Sequence, residues 1–489
     1  MHLAFLNPQG NFDPNDSYWT EHPDFGGQLV YVKNVALSLA ELGHRVDIVT
    51  RQIVDDDWPE FAHPESTYDG RVRILRIPCG DSDRFLRKED LWPYLGRDWV
   101  PNIVAHYRSV GELPDAATGH YGDGGLAAAL LQSAAGIPYT FTGHSLGAQK
   151  FDKLASSGAS MEELDGHYRF ARRLEGERVA MNHAGVVITS TSQERFDQYG
   201  HAAYEGAIDP NDDSRFSVIP PGVALDVFGA GARHPGETEV RQVVEAMLRR
   251  DIAPSRRSLP VVVASSRLDP KKNPVVLAEA FAGSSSLQDT ANLVFITGAL
   301  TDPLRSDAGA GETEAAVLRD LRTMVREGGL DGKVAAFGVQ GQAALSGVYR
   351  YLADRRSVFA LTALYEPFGL APLEAAAAGL PVVATRNGGP SESLVDENGE
   401  YGVLVDPTDP ADIATACLRA LGPEWERFAR AGRQRVLDRY TWDRTAEGYV
   451  YAIEASRASD GRPLLPIHPY FSVGTPDVPD DRLRDLSRS

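Results

Sequence analysis

Short apolar runs alternate with amphipathic stretches along most of the chain. His2-Leu3-Ala4-Phe5-Leu6 reads as a strand and residues 7 to 25 as a long polar, aromatic loop. Gly26-Gly27-Gln28 then opens a helix whose Leu29, Val32, Val35, Leu39 and Leu42 recur at helical spacing. Gly43 ends it, and Val46-Asp47-Ile48-Val49-Thr50 is the next strand. Strand, helix and strand in this order make a crossover unit, hence a parallel sheet. The same grammar restarts at Leu259-Pro260-Val261-Val262-Val263-Ala264, with strands predicted at 292–297, 334–337, 358–362 and 380–385. Runs this continuously apolar suit strands covered on both faces.

Residues 205 to 235, rich in Gly, Pro, Asp and Asn, separate the two series as a domain boundary would. The expected fold class is α/β, with two doubly wound Rossmann-like domains, 1–225 and 226–440, facing across a cleft. A helix around 440–460 is expected to pack back onto the first domain, and a proline-rich tail, 461–489, to lack a regular fold. A length of 489 residues fits more than one core.

Composition narrows the function. A net charge of −19 leaves no basic footprint for nucleic acid or an anionic membrane. It is compatible with a salty cytoplasm and equally with ordinary solubility charge. The first residues lack the basic leader of a signal peptide, and no apolar run has membrane-spanning length. Cys79 and Cys417, the two cysteines, make neither a disulfide framework nor a zinc site. A cytoplasmic location is the default expectation.

Three stretches carry candidate chemistry. Gly143-His144-Ser145-Leu146-Gly147 fits the G-x-S-x-G nucleophile elbow, and Ile137 to Thr142 supplies the strand an elbow needs. A hydrolase would also need an acid and a histidine later in the chain. "SSRLDPKKNP" places Arg267, Lys271 and Lys272 in a loop after a strand, where open α/β sheets bind ligands. Three cations within six positions suit a phosphate or diphosphate, although a solvated basic loop is the plainer reading of any lone Lys-Lys pair. In "LYEPFGLAPLEAAAAGLPVVATRNGGP", a helix begins at about Phe368-Gly369-Leu370 and offers free N–H groups and a positive dipole end to an anion. Glu366 stands before it and Glu374 within its first two turns, suited to sugar hydroxyls.

Glu366 and Glu374 match the E-x7-E motif of retaining GT-B nucleotide-sugar glycosyltransferases, and Arg267 with Lys272 their diphosphate-binding pair. Together with Gly26-Gly27-Gln28, "HYGDGGLA" and "TGHSLGAQK", the chain resembles the sucrose-phosphate synthases, in the bacterial form with the synthase core alone. The resemblance runs from "AFLNPQGNFDPNDSYW" to "RYTWDRTAEGY".

The resemblance implies a retaining transfer of glucose from UDP-glucose to fructose 6-phosphate, giving sucrose 6-phosphate. It implies that Arg267 and Lys272 hold the donor diphosphate and that Glu374 binds the ribose. Glu366 and the Phe368-Gly369-Leu370 backbone would hold glucose, with His144 beside the reacting centre and Gly27 lining the site. For the acceptor it implies Gly27, Gln28, Lys88, Tyr121, Ser145, Lys150 and Arg173, with Arg178 nearby. Arg169 and Arg173, four apart, are expected on one face of one helix. No metal is implied for the chemistry, Mg being at most an activator, and Asp81-Ser82-Asp83 reads as a solvated loop. The expected assembly is a monomer or loose oligomer. Left open are another pair (ADP-glucose or GDP-mannose as donor, free fructose as acceptor) and, remotely, a serine hydrolase using Ser145.

Overall fold

The computed structural model describes residues 1–19, 26–458, 462–479, 482–484 and 486. The end of the predicted 7–25 loop and parts of the predicted tail lie outside the described residues. The chain divides into two compact units, Met1–Pro220 with the segment from Trp442 onward, and Pro221–Thr441. The divisions therefore fall at 220/221 and 441/442 rather than at 225 and 440. Val223 forms a bridge with Thr441, which ties the residues after Pro220 to the second unit.

The first unit is built on an eight-stranded sheet. Its strands are β1 (His2–Asn7), β2 (Arg45–Arg51), β3 (Glu65–Tyr68), β4 (Val72–Ile77), β5 (Ala116–His120), β6 (Tyr139–Thr142), β7 (Val186–Thr189) and β8 (Phe216–Val218). They lie in the order β3-β4-β2-β1-β5-β6-β7-β8, parallel except that β3 runs against β4. β1 is buried along its whole length, with Leu3 paired to Val46 on one side and Ala116 on the other. The chain winds outward from β1 in both directions, so the strand order reverses between β1 and β5, where such sheets open a crevice at their carboxyl ends. The Gly27–Glu41 helix buries Leu29, Val32, Val35 and Leu39. Leu42, on the predicted stripe, is instead the exposed C-cap, and Gly43 follows with φ +88°.

The second unit holds β9 (Val261–Ser265), β10 (Asn292–Ile296), β11 (Val334–Phe337), β12 (Val358–Leu361), β13 (Val382–Thr385) and, beyond a short β14–β15 hairpin (Val395–Asp396 and Gly399–Glu400), β16 (Val403–Val405). The order is β11-β10-β9-β12-β13-β16, all parallel, and it reverses between β9 and β12. Val261, Val262 and Val263 are all buried. Each such side chain contributes about 1.5–3 kcal/mol, which is why so apolar a run becomes a central strand.

The proline-rich tail departs from expectation. Tyr470–Val473 is a helical turn, and Tyr470, Phe471, Val478, Leu483 and Leu486 are buried in the core of the first unit. Arg462 donates to the carbonyls of Asn182, His183 and Ala184, and Arg172 pairs with Asp477. Apolar residues among and after the prolines anchor the segment, whose regular structure is limited to short helical turns.

Candidate active site

In the first unit, the loops leaving β1, β4, β5 and β6 emerge at one edge of the sheet because the strands are parallel. Gln28, at the start of the helix after β1, donates to Asn7 Oδ1 at the end of β1 (3.3 Å). Gly27 beside it is exposed, with open space around its Cα. Lys88 begins the Lys88–Tyr94 helix. Tyr121 begins the helix after β5 with φ +66°, and the Arg173 guanidinium lies over its ring at 5.2 Å. Lys150 stands over the Tyr168 ring at 4.2 Å.

Glu177 organises this edge, although nothing in its sequence position distinguishes it from a surface helix carboxylate. Fully buried, it accepts from the Gly147 N–H at 2.9 Å, from Arg173 Nε at 2.9 Å and from Tyr204 OH at 2.5 Å. Arg173 in turn donates Nη2 to the Ser145 carbonyl (2.7 Å). Burial works against the Arg173 charge, but the adjacent Glu177 carboxylate raises its pKa above the ordinary value. The N-terminus of the Gly147–Ala155 helix is thus filled from within by a carboxylate, leaving anion binding here to side chains. Asp123 lies in electrostatic contact with Lys88 and Arg173, and burial lifts its carboxyl to about 7.

Two expectations change. Arg169 has φ +51° and closes the Met161–Tyr168 helix before Phe170–His183 begins, so Arg169 and Arg173 do not share one helix. Arg178, five residues beyond Arg173, points to the Ala203 carbonyl (2.6 Å) and is not brought to the Arg173 cluster.

His144 follows β6 with φ +56°. Its Nε2 meets Nδ1 of His120, the last residue of β5, at 3.0 Å, and Nε2 of His120 meets Thr118 Oγ1 at 3.1 Å. The rings of Phe5, Tyr31 and Tyr449 pack around this pair, Tyr449 coming from the Trp442–Ala458 helix. Burial pushes the His144 pKa down to about 3 and, with His144 adding to it, drives that of His120 well below its ordinary value. Both imidazoles are therefore neutral.

This geometry is not a nucleophile elbow. The left-handed residue of the turn is His144, whereas Ser145 is exposed, and its hydroxyl has no hydrogen-bonded base among the described residues. Neither the natural chain nor Ser145→Ala is expected to hydrolyse p-nitrophenyl acetate above the buffer rate. Hydrolysis lost on substitution would restore the hydrolase reading.

In the second unit, the loops after β9 and β12 flank the strand reversal. Arg267 is exposed, and Lys272 Nζ donates to Glu366 Oε2 at 2.7 Å. These two residues, expected to meet different parts of a ligand, meet each other. Gly369 (φ +97°) precedes the Leu370–Ala377 helix, whose first-turn N–H groups have no intrahelical partner. The Asn387-Gly388-Gly389 loop runs so close that a Cβ at Gly388 would strike the Glu366 carbonyl and one at Gly389 the Phe368 carbonyl. Leu364 N–H donates to Lys271 O (2.8 Å), and the Glu366 N–H to Asn387 O (3.0 Å). Three loops are thereby laced into one surface bearing Lys272, Glu366 and Phe368.

Glu374 sits on the first two turns of that helix, and burial raises its pKa to about 7. Folding therefore binds a proton between the ordinary glutamate value and about 7, so stability falls as pH rises through that window. The shift corresponds to at most about 3.5 kcal/mol. Glu374→Gln is expected to flatten this part of the pH dependence, read by thermal melts at pH 5 and 8.

Residues 2–247 match the family model described as sucrose synthase first GT-B domain, and residues 249–435 that of glycosyl transferases group 1. A probable sucrose-phosphate synthase of Thermosipho melanesiensis is 41% identical over 456 residues, 93% of this chain and 96% of that protein. The chain belongs to the sucrose-phosphate synthase family. It has the GT-B fold and is a hexosyltransferase of that family. The sucrose-phosphate synthase of Zea mays is 34% identical over 90% of this chain, which spans 46% of the length of the maize protein. A solved sucrose-phosphate synthase from Thermosynechococcus elongatus matches with a TM-score of 0.62 at 25% identity, covering 94% of this chain and all of that one. No helix among the described residues is long and apolar enough to cross a membrane.

Proposed function

We propose that the chain transfers glucose from UDP-glucose to fructose 6-phosphate, forming sucrose 6-phosphate and UDP with retention at the anomeric carbon. What supports this reading is Arg267 and Lys272 in the loop after β9, beside the second sheet's strand reversal, and, after β5 of the first, Arg173 over the Tyr121 ring with Asp123 in electrostatic contact with both Arg173 and Lys88. Arg267 and Lys272 serve a donor diphosphate, and Lys88, Lys150 and Arg173 serve a phosphate on the acceptor.

In this reading Lys272 leaves Glu366 to meet the diphosphate, and Glu366 turns to glucose hydroxyls, so donor binding exchanges one ion pair for two ligand contacts. The N–H groups from Gly369 onward and the cations stabilise charge growing on the departing phosphate, a preorganised electrostatic effect. The leaving phosphate oxygen takes the proton of the acceptor hydroxyl, so no protein nucleophile enters the step. His144, neutral, makes a hydrogen bond to the transferred sugar. Glu374 takes the ribose hydroxyls; Gly27, Gln28, Tyr121 and Ser145 line the acceptor side. Charge stabilisation comes from the protein itself, so the chemistry requires no metal, and Mg acts at most as an activator. The family members' activity on sugar phosphates supports a protein that works where such metabolites occur, the cytoplasm.

The test is UDP release from UDP-glucose with and without fructose 6-phosphate, run beside free fructose, ADP-glucose and GDP-mannose. Release dependent on fructose 6-phosphate with sucrose 6-phosphate as product is the expected result. Release with another pair would move the substrates and keep the mechanism.

A further inference from the structure

Thr118 and His120 are two apart on β5, so their side chains project from the same face of the strand. Thr118 lies outside every motif singled out in the sequence and His120 opens the "HYGDGGLA" stretch, and together they form a chain that ends on His144. Two rings and two hydrogen bonds fix His120: it stacks on Phe5 (5.3 Å, 17°) and on Tyr449 (6.3 Å, 14°), and it bridges Thr118 Oγ1 and His144 Nε2. Thr118 and His120 are wholly buried, so no water competes for the bond between them.

The direction of the protons follows from Thr118. Its hydroxyl has one partner among the described residues, Nε2 of His120. If His120 Nε2 carried the proton, it would donate to Thr118, and the buried Thr118 O–H would be left without an acceptor, which costs the full desolvation of that group. If Thr118 donates instead, every hydrogen is used: Thr118 O–H to His120 Nε2, then His120 Nδ1–H to His144 Nε2. The His144 proton then resides on Nδ1, the one ring nitrogen of the chain with no protein partner among the described residues.

We propose that Thr118 and His120 are positioning residues that lock His144 in the tautomer protonated on Nδ1, so that it presents an N–H donor, not a lone pair, to an oxygen of the transferred sugar. This rests on the reading that His144 meets that sugar. Neutrality of both imidazoles agrees with it, since a charged ring in either place would disrupt a chain in which each nitrogen has one role. The left-handed backbone of His144 swings its ring back onto His120 and, in this reading, is held there by the same chain.

The tautomer is read directly from ring-nitrogen NMR of the full chain carrying 15N-labelled histidine, with His144 assigned from its loss in His144→Gln. The expected spectrum has Nδ1 protonated and Nε2 bare from pH 8 down to about 5; an Nε2-protonated His144 overturns the proposal, whatever the substrates prove to be. Thr118→Val, isosteric and suited to a strand, is expected to lower kcat about tenfold, the worth of one buried hydrogen bond, with both KM values within about twofold. Thr118→Ser should restore kcat, and adding Thr118→Val to His120→Phe should cost nothing more. An unchanged kcat in Thr118→Val, or additive losses in the double variant, overturns the relay. Failure of transfer in the natural chain would instead refute the functional reading and leave the NMR result standing.

Discussion

Lys272→Ala is expected to slow the proposed glycosyl transfer by roughly 10²- to 10³-fold, the usual cost of removing one preorganised group that meets charge developing in a transition state. The fall should appear in kcat, because charge grows on the departing diphosphate, and in the donor KM, because in this reading Lys272 exchanges Glu366 for the diphosphate on binding. The pair also predicts strong coupling. In Lys272→Ala the Glu366 carboxylate loses its partner and turns as an uncompensated charge toward the donor phosphates. Glu366→Gln in that background should therefore recover part of the loss, giving a double variant less impaired than the sum of the singles. Steady-state kinetics of the four proteins decide it. Simple additivity would mean that the 2.7 Å contact has no bearing on the reaction.

Glu177→Ala has the largest expected effect on stability. It leaves the Arg173 guanidinium buried without its carboxylate and strips partners from Gly147 N–H and Tyr204 OH. Removing one member of a buried ion pair costs about 3–5 kcal/mol, and for a unit of this size each kcal/mol moves the midpoint by roughly 2–4 °C. The melting transition of the first unit should drop by about 10 °C, with Glu177→Gln losing less because it keeps the volume and one acceptor oxygen. Scanning calorimetry separates the units. A shift below about 3 °C would show that Arg173 finds another partner. Acceptor KM should rise with the loss, since Arg173 and the Ser145 carbonyl move together.

What the sequence made legible follows from what each residue's chemistry depends on. Strands such as 259–264 were readable because burial on both faces leaves an uninterrupted apolar run; the structure begins β9 two residues later, after Pro260. The Arg267 to Lys272 loop and the Glu366 to Glu374 stretch stood out because charge concentrated at a strand end has few structural uses, and the structure brings Lys272 of the one to Glu366 of the other. Glu177, Thr118 and His120 were not, since apart from Arg173, one turn from Glu177 on the same helix, their partners lie 24 to 30 positions away or two away on a strand face. The break at Arg169 was missed because a left-handed arginine leaves no compositional mark. The tail misled for the opposite reason: proline content suggested an unstructured segment, while five apolar residues decided that it would pack.

The first unit draws its last elements, the Trp442–Ala458 helix and the buried residues up to Leu486, from beyond the second unit in sequence. On a ribosome, therefore, the nascent first unit has its sheet by Val218 but lacks Tyr449 against His120 until some 230 further residues have been made. At 5–20 residues per second that is a wait of roughly 10–50 s. The intervening unit, whose residues are contiguous, is free to fold first. Synthesis thus matures the two halves in the reverse of their order along the message, and a chain released early would carry a finished second half beside a first half still open around its histidines.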